Sequence, residues 1–336
     1  MKSILVTGGI GYIGSHTVVT LLKNNYNVII LDNLNNSKTK VLKGILAITN
    51  KEPVFIQGDI RDGHLLERIF QEYSIDSVIH FAGLKAVAES QLEPLKYYDN
   101  NVSGSITLFE EMLKANVEKL VFSSSATVYG FPDTPEYVES LPTNPINVYG
   151  KTKLIIEKII NDISVARPTF RSVCLRYFNP VGAHHSGLIG EDPMGIPNNL
   201  MPYICQVALG KLPFLKIYGN DYSTSDGTGM RDYIHVEDLA FGHLLALNHL
   251  EMSSGVLTLN LGNEKPRSVL EVVKSFEKVS GIKIPYQFVG HRFGDLGIYY
   301  ANAQRAKNIL GWSSKCDLER MCEDTWRFCK NSAKLT

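Results

Sequence analysis

The sequence predicts an α/β fold of the doubly wound type, in which a parallel sheet is covered by helices and a smaller C-terminal lobe is interleaved with it. Three observations predict this class. Short, apolar, strand-like runs alternate with helical patterns over the first 178 residues, which is typical of parallel sheets with helices on both faces. A glycine-rich turn joins the first run to the first helix. The 336 residues also exceed what one core commonly serves, which favours a second lobe.

The composition argues against several functional classes. Lys plus Arg and Asp plus Glu number 34 each, and no basic run stands out, so nothing favours a nucleic acid or an anionic membrane as partner. Five cysteines without a Cys-x-x-Cys pair predict reduced thiols rather than disulfides or a zinc site. Glycines interrupt the apolar N-terminal run, and no segment reaches the roughly 20 apolar residues of a membrane span. We expect a cytoplasmic protein.

The first strand and helix enclose the glycine-rich turn. Residues 4–7 form a short β-type run, and a helical pattern extends from the turn to about residue 23. Between them, Gly8, Gly11 and Gly14 permit a tight turn and a close approach of the backbone to a pyrophosphate. The helix N-terminus then faces the phosphates. This arrangement predicts a Rossmann-type dinucleotide site.

Further strand-like runs follow at residues 27–31, 54–57, 77–81, 117–122 and 173–177. Helical patterns at residues 63–73 and 94–116 separate some of them. Because parallel strands end at one edge of a sheet, the residues after these runs should converge where such sheets bind ligands. These residues are Asp32, Asp59, Gly83 and Ser125. The Asp32 carboxylate suits the ribose hydroxyls of NAD and repels the 2′-phosphate of NADP.

A helix predicted after residue 147 carries Tyr149 and Lys153, four residues apart and therefore on one face. A tyrosine hydroxyl has a pKa near ~10 and is a poor base at neutral pH unless a nearby cation stabilises the phenolate. Lys153 is such a cation. The pair therefore predicts a tyrosine base, although an isolated pair with this spacing is more often an ordinary surface feature.

Beyond residue 178 the alternation becomes irregular. Strand-like runs at residues 215–218, 257–261 and 286–289 and helices at residues 269–279 and from 318 predict the smaller lobe. We predict a dinucleotide domain at residues 1–178, completed by segments from about 230–262, and a mainly substrate-binding lobe at 179–336. His184 and His185 near two acidic residues lack the spacing of metal ligands and predict a polar loop rather than a metal site.

Several motifs resemble the extended short-chain dehydrogenase/reductase family. They are the glycine-rich stretch at residues 7–14, Asp59-Ile60, the serines at 123–125 and Tyr149-x-x-x-Lys153. Longer stretches at residues 80–87, 123–130, 175–183, 195–202 and 229–236 resemble, more narrowly, the UDP-galactose 4-epimerases of that family. The resemblance extends from residue 3 to about 328, and stretches of this length are far more specific than the short motifs.

This resemblance implies a tightly held NAD that is reduced and reoxidised within one turnover. Tyr149 would take the proton of the sugar 4-hydroxyl, with Ser125 hydrogen-bonded to the same oxygen, while the nicotinamide takes the 4-hydride. Lys153 would bind the nicotinamide ribose and, with the positive nicotinamide ring, hold Tyr149 ionised. The 4-keto sugar then rotates and receives the hydride on its other face, which interconverts UDP-galactose and UDP-glucose.

The resemblance also implies which residues bind the two ligands. For NAD they are Gly8, Gly11, Tyr12, Ile13, Gly14, Asp32, Asn33, Asn36, Ser37, Asp59, Ile60, Phe81, Ala82, Gly83, Lys85, Asn100, Ser123, Tyr149, Lys153 and Phe178. For the UDP-sugar they are Ser125, Tyr149, Asn179, Asn199, Leu200, Tyr218, Arg231, Arg292, Asp295 and Tyr299. The two arginines suit the diphosphate, because guanidinium groups pair with phosphate oxygens in a two-pronged geometry. Tyr218 is expected to face the uracil, and Asp295 its ribose.

Tyr299 aligns with the family position that limits the hexose pocket, and its size predicts glucose and galactose over their N-acetyl forms. One alternative is a nucleotide-sugar 4,6-dehydratase, but those relatives carry Asp-Glu where this chain has Ala126 and Thr127. Another alternative is a non-enzymatic dinucleotide sensor, which would lack the Tyr149 and Lys153 pair. The family is commonly dimeric through two long helices, here beginning near residues 95 and 148, and we expect a homodimer.

Overall fold

The computed structural model describes residues 1–193, 195, 197–292 and 294–334. Its strands are β1 (Ser3–Thr7), β2 (Asn27–Asp32), β3 (Val54–Gln57), β4 (Ile75–His80), β5 (Lys119–Ser123), β6 (Glu136–Tyr137), β7 (Arg171–Tyr177), β8 (Asn179–Val181), β9 (Leu215–Tyr218), β10 (Met230–Arg231), β11 (Tyr233–His235), β12 (Gly255–Leu261), β13 (Arg267–Ser268), β14 (Tyr286–Val289) and β15 (Ile298–Ala301). Its α-helices are α1 (Tyr12–Lys23), α2 (Lys40–Thr49), α3 (Gly63–Glu72), α4 (Val87–Leu92), α5 (Pro94–Tyr97), α6 (Gly104–Lys114), α7 (Val148–Ala166), α8 (Leu200–Ala208), α9 (Val236–His249), α10 (Val269–Ser280), α11 (Gln304–Leu310) and α12 (Leu318–Lys334). A π-helical turn lies at Tyr98–Ser103 and a 3₁₀ turn at Ala126–Tyr129.

The central sheet has seven strands in the order β12-β7-β5-β4-β1-β2-β3, and every neighbouring pair is parallel. The chain runs outward from β1 through β2 and β3, then returns to the other side of β1 at β4. The direction of winding therefore reverses between β1 and β4, at the switch point where such sheets bind ligands. This topology confirms the predicted doubly wound class.

Side chains of β1 alternate between two cores, one on each face of the sheet. Ile4 and Val6 pack with residues of α1, α2 and α9, such as Val18. Leu5 packs on the opposite face with residues of α3, α6 and α7, such as Leu108. Both faces of the sheet are therefore covered, as the continuous apolar character of its strands predicts.

Two helices on this sheet, α2 and α9, are absent from the sequence-based prediction. In α9 the buried residues, which include Asp238, Leu239, Leu244 and Leu247, are spread over about two thirds of the helix circumference. A helix that is apolar over most of its circumference gives no clear 3.6-residue period. α2 contains Gly44, and glycine is a poor helix former, which weakens the helical pattern of this segment. A glycine is needed there because a Cβ would lie 2.7 Å from the Ile189 side chain.

The helix predicted over residues 94–116 is α5 and α6, joined by the π-helical turn. This turn brings the Asn101 side chain into the interior, where it is fully buried. Its Oδ1 accepts from the Leu84 N–H at 2.8 Å, and its Nδ2 donates to the Leu84 carbonyl at 3.0 Å and to the Thr152 hydroxyl at 3.1 Å. The π turn thereby ties the loop after β4 to α7, and such turns are frequent at functional sites.

The smaller lobe has its own core, formed by α8, α10 and α12 with residues of β9 and β11. Around it lie a four-stranded sheet in the order β13-β10-β15-β6 and the pairs β8–β11 and β9–β14. The chain returns to the main sheet at β12, which pairs with β7. Several of the lobe's strands span only two to four residues, for example β8, β10, β11, β13 and β15, and are too short to display the two-residue alternation that predicts strands.

Asp232 attaches the lobe to the end of β12. Its buried carboxylate accepts hydrogen bonds from the backbone N–H groups of Asn263, Glu264 and Ala301, at 2.6, 3.0 and 3.0 Å. Burial raises the pKa of Asp232 to about 6, and the three donors oppose this rise by stabilising the charged form. The strand that precedes Asp232, β10, is consequently held beside β15.

The cysteines and the helices relate to two expectations from the sequence, reduced thiols and no membrane-spanning segment. All five cysteines are free thiols, and three of them are buried. Among the helices that the structure describes, none combines the length and apolar character that crossing a membrane requires.

Gly14→Ala is expected to destabilise the protein by about 1–3 kcal/mol and to lower its content of bound dinucleotide. The added Cβ would lie 2.2 Å from the Gly8 carbonyl oxygen and 2.9 Å from the Gly9 Cα. Thermal unfolding and the absorbance of released nucleotide measure both effects. Gly290→Ala is the matched control, since no described atom lies within 4 Å of its added Cβ. Equal stability and nucleotide content in the two variants would contradict the prediction.

Candidate functional site

The glycine turn lies at the switch point between β1 and β4. Gly8 has φ of 69°, and a Cβ there would meet the Ala82 backbone nitrogen at 2.8 Å. The Gly11 N–H donates to the Gly8 carbonyl at 3.1 Å, and α1 begins at the next residue, Tyr12. A side chain at Gly8 or Gly14 would clash with the neighbouring backbone of this turn. The turn therefore fits the close approach of a dinucleotide pyrophosphate to the N-terminus of α1.

Asp32 ends β2 next to this turn, as predicted. Its carboxylate accepts from the Ser37 hydroxyl at 2.8 Å, from the Leu34 N–H at 3.0 Å and from the Ile10 N–H at 3.3 Å. The carboxylate is therefore rigidly oriented before any ribose hydroxyl reaches it, and Ser37, a predicted cofactor residue, contributes to this order.

Two more predicted cofactor residues, Asn33 and Asp59, contact each other, with the Asn33 amide donating to Asp59 at 2.9 Å. The Arg61 guanidinium also donates to Asp59 and holds the pKa of that carboxyl well below its usual range. Ile60 is buried beside them, whereas Asn36 is exposed in the loop after β2.

The loop after β4 carries Phe81, Ala82 and Gly83 along the opposite side of the switch point. The backbone N–H groups of Phe81 and Ala82 donate to the Thr7 carbonyl at 3.0 and 3.1 Å, which fixes this loop to the end of β1. Asn100 reaches the loop through Asn101, to whose Oδ1 it donates at 2.9 Å. Asn101 is a positioning residue that the sequence did not reveal, because its role depends on the π turn.

Ser125 and Tyr149 form the centre of the site. The Ser125 Oγ accepts two hydrogen bonds from Thr127, from its N–H at 3.2 Å and from its hydroxyl at 3.0 Å. The Ser125 proton is therefore directed to its remaining partner, the Tyr149 phenol. Burial raises the pKa of Tyr149 to about 12, and the Ser125 hydrogen bond opposes that rise. Thr127 orients Ser125. From the sequence, Thr127 served only to distinguish this chain from the dehydratases.

Lys153 lies on the same face of α7 as Tyr149, and both side chains are buried against the end of β5. The Lys153 Nζ donates to the Ser123 carbonyl at 2.7 Å and lies 5.9 Å from the centroid of the Tyr149 ring. Burial lowers the pKa of Lys153 to about 8. The predicted shared face is thus present, but the ammonium is held by a backbone carbonyl rather than by the phenol.

Aromatic residues gather around Tyr299 on the lobe side. Its ring stacks on Tyr137 with centroids 5.7 Å apart and an interplanar angle of 20°, and lies 6.0 Å from Phe178. The Tyr299 hydroxyl is 3.5 Å from the Asn179 Oδ1. Three predicted site residues therefore meet here, although Phe178 was assigned to the cofactor and the other two to the substrate.

Phe178 also connects this group with the Tyr149 centre. It follows Tyr177, whose hydroxyl shares a 2.6 Å hydrogen bond with the Ser123 hydroxyl. At the end of β7, Tyr177 therefore lies beside Ser123, and the next residue, Phe178, lies beside Tyr299.

The predicted substrate residues of the lobe include two arginine–aromatic pairs, Arg231 with Tyr299 and Arg292 with Tyr218. Arg231 forms a salt bridge with Asp295, and its guanidinium lies 4.7 Å from the Tyr299 ring centroid. The Arg292 guanidinium lies 3.8 Å from the Tyr218 ring centroid, within the range of a cation–π contact. An aromatic ring and an arginine are therefore adjacent in both pairs.

Glu191 joins the cofactor side to the substrate side. Its Oε1 accepts from the Lys85 Nζ at 3.0 Å and from the Asn199 amide at 2.7 Å, and Asn199 directly precedes Leu200, the first residue of α8. No local pattern predicts this role, because Lys85 and Glu191 are 106 positions apart in the chain.

His184 and His185 contact Glu237 rather than the acids nearest to them in sequence. The His185 Nδ1 lies 3.0 Å and the His184 Nε2 3.5 Å from the Glu237 carboxylate. The His184 Nδ1 accepts from the Ser186 N–H at 3.2 Å, and the His184 Nε2 also lies 3.4 Å from the Lys23 Nζ. Hydrogen bonds account for this group, and the interpretation as a polar loop stays a prediction.

Comparisons with known proteins agree with this geometry. The model of the NAD dependent epimerase/dehydratase family matches residues 4–262. The chain is 57% identical over 333 residues to a UDP-glucose 4-epimerase of Neisseria meningitidis serogroup C, a match that covers 99% of this chain and 98% of the relative.

Two solved structures are similar over nearly their whole length. The UDP-glucose-4-epimerase of Stenotrophomonas maltophila, with bound NAD and formylated UDP-arabinopyranose, superposes with a TM-score of 0.98 at 48% identity and covers 100% of both chains. The UDP-glucose 4-epimerase of Bifidobacterium longum, in complex with NAD+ and UDP, superposes with a TM-score of 0.96 at 48% identity and covers 99% of both. The chain belongs to the NAD-dependent epimerase/dehydratase family, and within it to the UDP-glucose 4-epimerases.

Proposed function

We propose that the protein interconverts UDP-galactose and UDP-glucose by reversible oxidation at carbon 4 of the hexose. The observation that carries this proposal is the buried Tyr149 phenol, hydrogen-bonded by Ser125 and one turn from Lys153, at the sheet edge that also bears the glycine turn. Bound NAD supplies a reversible hydride acceptor. The protein is then an isomerase, because the overall reaction neither oxidises nor reduces the sugar.

Tyr149 moves the proton in this reaction. Its phenolate takes the proton of the 4-hydroxyl as the 4-keto sugar forms, and its phenol returns the proton after the sugar has turned its other face. Ser125, whose own proton is directed by Thr127, donates to the reacting oxygen and stabilises charge on it. Lys153, fixed by the Ser123 carbonyl, supplies positive charge that favours the phenolate.

The UDP portion of the substrate is held by residues that do not bind the hexose. Arg231 and Arg292 suit the diphosphate, and Tyr218 presents an aromatic face for the uracil beside Arg292. Asp295 serves the uridine ribose, and Asn179 and Asn199 add hydrogen bonds. Firm anchoring of the nucleotide leaves the hexose free to turn, which the chemistry requires.

The division of labour in the chain follows from the same proposal. Residues 1–178, completed by segments from about 230–262, hold NAD, and residues 179–336 mainly hold the UDP-sugar. Pairing of β12 with β7 supports this division, because it returns the later segment to the sheet that carries the glycine turn.

We also propose a homodimer that acts in the cytoplasm. Leu95, at the start of the first predicted dimer helix, and Leu92, just before it, are 81% and 82% exposed, and a partner helix would cover them. Five free thiols suit a reducing compartment.

Protein mixed with UDP-galactose, without added NAD, is expected to form UDP-glucose because the cofactor is retained from purification. Proton NMR follows the conversion, and Tyr149→Phe should slow it by at least ~10²-fold, whereas Tyr26→Phe, at a tyrosine hydrogen-bonded to Asn248, should not. No conversion even with added NAD would refute the proposed reaction. A product lighter by one water would indicate a dehydratase instead.

Ser125→Ala is expected to move the acid limb of the kcat profile to higher pH by about one to two units, the cost of one hydrogen bond to a charged acceptor. The sign follows because activity needs the phenolate, and losing the Ser125 donor raises the pKa of Tyr149 further. Thr127→Val should shift the limb in the same direction by less. An unmoved limb in both variants would show that Ser125 does not stabilise the phenolate.

UDP-N-acetylglucosamine is expected to be converted at least about tenfold more slowly than UDP-galactose, because the Tyr299 ring, stacked on Tyr137, limits the hexose pocket. Tyr299→Ser should reduce this difference. Tyr300→Ser, at the neighbouring position of β15 whose side chain faces the other way, is the matched control. Equal rates for both substrates with the unmodified protein would disprove the size limit.

A further inference from the structure

The two residues that precede Ser125 are hydrogen-bonded to successive turns of α7. The Lys153 Nζ donates to the Ser123 carbonyl at 2.7 Å. The Ser124 hydroxyl donates to the Glu157 Oε1 at 2.5 Å. Ser125 follows directly, at the point where β5 has ended and the 3₁₀ turn begins.

Tyr149, Lys153 and Glu157 are each four residues apart, so they lie on one face of α7 over three successive turns. All three are buried against the same strand end. The first bears the phenol that Ser125 contacts, and the other two hold the residues just before Ser125. The helix thus fixes both members of the Ser125–Tyr149 hydrogen bond.

Glu157 is itself rigid. Its side chain is 5% exposed, and Arg176 of β7 donates to both carboxylate oxygens, from Nε at 2.9 Å and from Nη2 at 2.6 Å. The Arg176 guanidinium also lies 4.8 Å from the ring centroid of Tyr129, in the 3₁₀ turn that follows Ser125. Glu157 therefore links the chain on both sides of Ser125 to α7 and β7.

We propose that Glu157 is a positioning residue for epimerisation, which acts through Ser124 to keep the Ser125 hydroxyl aligned with the Tyr149 phenol. This inference rests on the proposed function. In support, the Glu157 carboxylate also favours the charged form of Lys153, one turn away. Because Glu157 forms hydrogen bonds with none of the residues assigned to UDP, its loss acts on kcat rather than on KM.

Ser124→Ala is the variant that tests the proposal most cleanly, since it removes one hydroxyl and leaves the Glu157–Arg176 ion pair intact. For UDP-galactose we expect kcat to fall roughly tenfold, as small misalignments of reacting groups do, with KM unchanged within about twofold. The NAD content and the thermal unfolding temperature should match those of the unmodified protein.

A double variant separates positioning from general stability. If Glu157 acts through Ser124, Ser124→Ala combined with Glu157→Gln should reduce kcat no further than Glu157→Gln alone. Asp162→Asn, which neutralises an exposed carboxylate on the same helix, is the control and should leave kcat unchanged.

A kcat of Ser124→Ala within twofold of the unmodified protein would overturn the positioning role, and so would fully multiplicative losses in the double variant. A loss that appears only as lower stability or a higher KM would overturn it as well. If the unmodified protein converts no UDP-galactose, the proposed function fails and the positioning role fails with it. An active unmodified protein with an equally active Ser124→Ala refutes the positioning role alone.

Discussion

Burial raises the pKa of the Tyr149 phenol to about 12, and the Ser125 hydroxyl opposes this rise by stabilising the ionised form. The same burial lowers the pKa of Lys153 to about 8. With these groups alone, the phenol is protonated and the ammonium charged at neutral pH. Proton abstraction by Tyr149 would then require further positive charge close to the phenol, which the oxidised nicotinamide of a bound NAD would supply. In the proposed reaction, proton transfer would therefore depend on the bound cofactor.

The sheet topology makes this arrangement possible. The reversal between β1 and β4 opens the edge at which the glycine turn and the loop after β4 approach so closely that a Cβ on Gly8 would lie 2.8 Å from the Ala82 nitrogen. β5 lies next to β4 and delivers Ser123, Ser124 and Ser125 to the same edge. One face of α7 packs against the end of β5 and carries Tyr149, Lys153 and Glu157. Lys153 and Glu157 hold this strand end through Ser123 and Ser124.

The sequence predicted the parts of this design that rest on local spacing. Tyr149 and Lys153 have helical spacing, and the strand-end positions of Asp32 and Ser125 follow from apolar runs. Thr127, Glu157 and Glu191 escaped prediction because their roles depend on contacts between segments far apart in the chain. α9 escaped because burial around its circumference removes the amphipathic period. The short strands of the lobe lacked the length that a pattern needs.

Titration of the Tyr149 phenol with NAD bound tests the central claim most directly. The near-ultraviolet phenolate absorbance of the unmodified protein, minus that of Tyr149→Phe at each pH, isolates the ionisation of this residue from that of the other tyrosines. We expect the phenol to ionise well below the ordinary tyrosine pKa of ~10 when oxidised NAD is bound. A phenol that stays protonated up to its burial-raised pKa of about 12 in the NAD-bound protein would contradict it.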